Sequence, residues 1–168
     1  GAARDVVEGA IDGLLDLMTA KGCAALNIIP DRNWNLKDPQ DAARKQAKLD
    51  DVVKGCVKRD LPINIGTEMN KGGLPFVDDL AGPVLGKYAA EFTQGMRLMV
   101  GQTLLGMYAH APYLGERAQA EFSDMKSRNA FYAAVGALPA LTPACANVLE
   151  DAGPDKAFSM LAEAAKKA

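Results

Sequence analysis

Leu61–Leu80, LPINIGTEMNKGGLPFVDDL, decides the fold, because a short apolar run breaks there into a dense set of polar and turn residues. Ile63 and Ile65 alternate with Asn64 and Gly66, and Asn70, Lys71, Gly72 and Gly73 follow, so the pattern predicts a short strand and then a loop. Alternation puts Ile63, Ile65 and Thr67 on one face and Asn64, Gly66 and Glu68 on the other. In parallel α/β sheets the loop after a strand's C-terminal end carries the chemistry, which singles out Glu68 and Asn70. The alternative reading is that Glu68 caps a turn that the glycines shape.

Working back, CAALNIIP from Cys23 to Pro30 is a nearly continuous apolar run, as expected of a strand buried on both faces. It places Cys23, Ala25, Asn27 and Ile29 on one side and Ala24, Leu26 and Ile28 on the other. A polar loop follows from Asp31 to Asn35 and holds the only tryptophan, Trp34. Asp38 and Pro39 make a helix N-cap and first turn, and Leu49, Val52, Val53, Cys56 and Val57 form that helix's buried face. Strand, loop, helix and strand make a βαβ unit, whose strands should be parallel and whose crossover should be right-handed. Adjacent parallel strands lie about 4.8 Å apart, so Asp31, Asn33, Glu68 and Asn70 would converge on one pocket. Asp31 and Arg32 could equally form a surface ion pair.

Before this unit, Val6, Val7, Ala10, Ile11, Leu14, Leu15 and Met18 recur at helical spacing and Gly22 ends the helix. After it, Pro83 to Ala109 reads as a long helix with a break near Gly101. Its glycines are expected to admit another element at close range, and Met96, Met99 and Met107 are expected in the core. Tyr113 to Arg128, Asn129 to Leu138, Thr142 to Asp151 and Pro154 to Lys167 read as shorter helices, the last set off by Gly153. The expected organisation is a βα segment over residues 1–110 and a helical segment over 111–168. Two parallel strands do not bury a sheet by themselves, so a second copy or a missing N-terminal half is expected to complete it.

Across 168 residues the charge is −2, with 49% hydrophobic and 24% charged residues. Basic residues are scattered and aromatics scarce, which argues against nucleic-acid binding. The longest apolar stretch, Met96 to Tyr108, is too short and interrupted to span a bilayer. Cys23, Cys56 and Cys145 are odd in number, far apart and set in apolar sequence, which reads as reduced core thiols in a cytoplasmic protein. His110 is the only histidine, which excludes centres built from several histidines of this chain, and its place at a helix end suits a structural role. Ser123 and Ser127 are expected to face water. No GxGxxG, GxxxxGK[ST] or GxSxG pattern occurs.

The run LPINIGTEMN, with the strand, helix and short connection before it, resembles the late strand of the polymerase and histidinol phosphatase (PHP) superfamily of metal-dependent phosphoesterases. That family's strand ends in Gly-Ser-Asp-Ala-His after a Leu-Pro start. The resemblance covers roughly residues 20 to 80. It implies an α/β fold, the C-terminal half of a TIM-like barrel, with few parallel strands in a mostly helical chain. It also implies a hydrolase of small-molecule substrates in which Asp31 and Glu68 hold a divalent ion (Mg, Mn or Zn) and serve catalysis, while Asn27, Asn33 and Asn70 orient substrate. Glu68 stands where the family has a metal-binding Asp, and Asn70 where it has His. Asn is a poorer ligand for zinc or manganese than imidazole, and the family's amino-terminal histidine motifs are absent, so a multinuclear centre is not expected. The alternative is a non-catalytic relative that binds a polar ligand or serves assembly, as a homo-oligomer.

Overall fold

The computed structural model describes residues 2–67, 72 and 76–167, with side chains described from residue 9 onward. It divides into two compact units, residues 1–93 and 94–168. The fold is α-rich, and among the described residues its sheet holds two parallel strands.

The first unit opens with α1 (Ala2–Ala20). Gly22, at φ +91°, ends it by letting its own N–H reach Thr19 O and the Cys23 N–H reach Met18 O, a left-handed turn that a side chain would strain. β1 (Leu26–Ile28) follows, then a one-turn helix α2 (Asp31–Trp34) where the sequence predicted only a loop. α3 (Pro39–Lys58) begins as expected, with the Asp38 carboxylate accepting from Asp41 N–H at 2.8 Å and Pro39 in the first turn. β2 (Ile63–Ile65) pairs parallel to β1, with Leu26 opposite Ile63, Asn27 opposite Asn64 and Ile28 opposite Ile65.

One face of this sheet joins the core of Leu15, Leu49, Val53, Cys56, Leu61, Ile63, Leu85, Tyr88 and Phe92, against which Leu26, Ile28 and Ile65 are partly buried. The other face carries Asn27, which is exposed, and Asn64. The expectation that β1 is buried on both faces is therefore corrected, since among the described residues helices cover only one. Val57, expected on the buried face of α3, is 52% exposed, because it sits beside Cys56 on the turn that rolls outward.

Arg59, just past α3, ties α1 to α3. Its Nη1 donates to Asp12 at 2.6 Å and to the Gly55 carbonyl at 3.0 Å, and its Nε donates to Asp16 at 2.7 Å. This hydrogen bonding holds the Asp12 and Asp16 carboxyls below the ordinary carboxylate value. On α3, Asp50 accepts from the Tyr88 hydroxyl and from Lys87 Nζ at 3.0 Å. Burial, then that bond to Asp50, pushes the Tyr88 phenol up to about 12.

A 3₁₀ turn at Gly86–Tyr88 leads into α4 (Ala89–Ala109), inside which the boundary between the units falls. α4 is unbroken at Gly101. That glycine serves close packing, as the sequence suggested: a β-carbon there would lie 1.9 Å from the Tyr132 carbonyl oxygen. Met96, Met99 and Met107 were expected in the core, but they lie on the exposed side of α4, Met107 at 62%. The buried side is taken by Leu98, Gly101 and Leu105.

The second unit continues with α5 (Glu116–Glu121), α6 (Met125–Gly136), α7 (Pro143–Ala152) and α8 (Pro154–Lys167). The predicted helix Tyr113 to Arg128 is cut because the Asp124 carboxylate accepts from Ser127 N–H at 2.7 Å and starts α6 afresh. Ser123 and Ser127 are exposed, as expected. Tyr113, Phe122, Phe131, Tyr132 and Phe158 make an aromatic core with ring centroids 5.0 to 6.3 Å apart. His110 is exposed at the end of α4, in the left-handed region at φ 50°.

Candidate functional site

The C-terminal ends of β1 and β2 face the same direction because the strands are parallel, so the residues that follow them share one edge of the sheet. After β1 comes α2. Its Asp31 carboxylate accepts from Asn35 Nδ2 at 2.8 Å, and Asn33 turns its amide onto the Ile29 carbonyl at 3.0 Å. Between them Trp34 reaches away from its own turn, and its indole Nε1 donates to Asp78 Oδ1 at 3.2 Å.

Asp78 is the unusual group here. It is only 6% exposed, yet it carries a carboxyl. Burial pushes that carboxyl above the ordinary value. The Trp34 hydrogen bond pulls it down, and the Asp31 charge pushes it up again. The Asp31 charge thus bears on Asp78 from a distant part of the sequence, and the Trp34 indole ties the α2 turn to Asp78. Beside them Phe76 and Val77 project into solvent, Phe76 at 80% exposure.

The exposed sheet face adds a polar layer, in which Asn64 Nδ2 donates to Asn27 Oδ1 at 3.2 Å across the strand pair. Of the five residues proposed from sequence, the structure brings Asp31, Asn33 and Asn27 to this edge or face. Glu68 and Asn70 lie outside the described residues. Sequence reasoning missed the placements of Asp78, Trp34, Asn35 and Asn64. The signal for Asp78 was the Asp78–Asp79 doublet directly after an apolar pair, which marks where the chain turns back to the sheet edge.

Among the described residues no three His, Cys, Asp or Glu side chains gather as a metal-binding group. The donors at this edge are carboxylate and amide oxygens, which suit a hard cation such as magnesium completed by water or substrate oxygens. They do not suit a histidine-rich zinc or manganese centre.

In the second unit, the loop from Leu138 to Thr142 and facing sides of α7 and α8 line a cavity of about 570 Å³, with Val148, Met160 and Leu161 among its walls. It is apolar and carries no polar constellation comparable with the sheet edge. Among the described residues no helix is long and apolar enough to cross a membrane. No family model, curated protein or solved structure matches the chain.

Proposed function

We propose that this chain is the site-bearing part of a metal-dependent hydrolase related to the PHP barrels, its two strands belonging to a partial TIM-like barrel. One observation carries the reading: Asp78 is a buried carboxyl whose ionisation is made costly first by burial and then by the charge of Asp31. A bound divalent cation relieves that cost, and sites that pay it without a cation are otherwise disfavoured. In this reading Asp31, with Glu68 and Asp78, holds one hard ion, which would polarise a scissile bond or activate water. Asn27, Asn33 and Asn70 orient a small polar substrate. The polar, uncovered sheet face supports the reading too, since a barrel strand turns one face to its helices and the other to the lumen. The three free thiols fit a reducing compartment, and we assign the protein to the cytoplasm on that ground.

The two outer sheet edges, which lack a partner among the described residues, favour a second reading, a non-catalytic ligand-binding or assembly protein that oligomerises. Calorimetric titration with magnesium, manganese and zinc separates the two. The hydrolase reading expects one ion per chain, with binding lost in Asp31→Asn and in Glu68→Gln while both variants keep the parent Tm. Hydrolysis of a generic phosphodiester by the intact protein should then fall in Glu68→Gln. No heat and no Tm shift with any of the three ions would leave the second reading in possession.

A further inference from the structure

α4 is apolar on both sides, as a helix buried all round would be, yet one side lies open. From Gln94 to Ala109 its only charged residue is Arg97. The side carrying Gly101 packs on α6, and Leu98 and Leu105 are buried. The opposite side presents Met96, Met99, Val100, Thr103 and Met107 at helical spacing, and all five are exposed. Thr103 donates its hydroxyl to the Met99 carbonyl at 2.9 Å, so the polar group of the stripe already has a partner within the helix.

We propose that this stripe is the interface of a homodimer, in which two α4 helices cross antiparallel about a two-fold axis. The residue order along the stripe is its own complement. Met96 and Met107, and likewise Val100 and Thr103, are placed symmetrically about the midpoint between Gly101 and Gln102. A two-fold axis at that midpoint sets Met96 against Met107 of the second copy and Val100 against Thr103 of the second copy, so long meets long and β-branched meets β-branched. Interface centres are depleted in charge and enriched in methionine, whose flexible thioether fills the gaps of a helix crossing. A lipid surface fits less well, because a helix lying on a bilayer carries lysine and arginine on its other side, and the other side of α4 is the glycine seam with α6. One stripe of about three turns buries less than the roughly 1,200–2,000 Å² of a stable complex. The dimer is therefore reversible, with a Kd on the order of 10–100 µM. None of its residues belongs to the first unit, so the proposal is independent of both readings of the sheet edge.

Sedimentation velocity of the full chain over about 5–500 µM, a range that brackets this Kd, tests it. The mass should rise from the 17.8 kDa of one chain towards twice that value. Met96→Glu/Met107→Glu should associate at least tenfold more weakly, because carboxylates then face each other across the axis, while helix content and Tm match those of the dilute parent, since both side chains are exposed. Met96→Glu/Met107→Lys should recover the association, because each new carboxylate then faces a new ammonium of the second copy. Within one chain the two positions are about 16 Å apart along α4, too far to pair. A parent that keeps the single-chain mass at every concentration would overturn the proposal, and its flotation with phosphatidylcholine vesicles would then assign the stripe to a lipid surface. A charge-swapped variant no more dimeric than the double-glutamate one would refute the antiparallel crossing.

Discussion

Replacing Gly101 by alanine tests the account of the second unit most sharply, because intrinsic propensity and packing pull in opposite directions there. On propensity alone the change stabilises α4 by about 1 kcal/mol. Against that, the new β-carbon would lie 1.9 Å from the Tyr132 carbonyl oxygen and 3.0 Å from the Gly136 nitrogen, both backbone atoms of α6. Backbone has no rotamer to yield, so α4 and α6 must part by roughly 1 Å, a gap that forfeits about a quarter to a half of each contact's attraction. Overpacking costs about 1–3 kcal/mol, and a backbone clash belongs at the upper end. The net loss is therefore about 2 kcal/mol, which at about 4–8 °C per kcal/mol for a domain of this size lowers its Tm by roughly 8–16 °C. Far-UV circular dichroism melting of the full chain reads this directly. The mirror position behaves the same way, since a β-carbon at Gly136 would lie 1.7 Å from the Arg97 carbonyl oxygen. The double variant should lose less than the two single losses together, because the first methyl has already parted the helices. Gly106 is the control: its β-carbon would meet Pro112 only at 3.9 Å, so Gly106→Ala should gain up to about 1 kcal/mol. If Gly101→Ala melted at or above the parent temperature, the close crossing of α4 and α6 would be refuted.

Three further outcomes follow from groups already described. Asp78→Asn should raise stability at neutral pH, because the amide oxygen still accepts from Trp34 and the buried charge is gone. The folded pKa of Asp78 is raised, so its ionisation costs stability as pH rises through that pKa, and the gain should vanish below the ordinary carboxylate value; a gain that persisted in acid would contradict this. Arg59→Lys should shift acid unfolding to higher pH. Asp12 and Asp16 have lowered folded pKa values, so the stability they contribute is present above the unfolded value and lost as pH falls through the folded one, and a lysine cannot hold both carboxylates in a fork; an unchanged acid limb would sink the clamp. Trp34→Phe should weaken any ligand or ion binding that depends on Asp78 while leaving helix content unchanged, as calorimetry and circular dichroism would show.

The sequence by itself determined the local elements, because their causes are local. Asp38–Pro39 starts α3, Gly22 ends α1, and Thr142–Pro143 starts α7 through side chains and φ angles within a few residues. Period-two alternation likewise fixed which side of β2 carries Ile63 and Ile65. It also marked the β1 end through Asp31. What lay beyond it was everything set by distance along the chain. Asp78 reaches the sheet edge only because the segment after β2 folds back to Trp34, 44 residues earlier. Met96, Met99 and Met107 repeat at helical spacing as a core stripe would, yet the glycine side of α4 is the one that meets α6, and two backbones approach closest where side chains are absent. Spacing tells which residues share a face; only the tertiary structure decides which face finds a partner, since burial is a property of what packs against the helix and not of the helix itself.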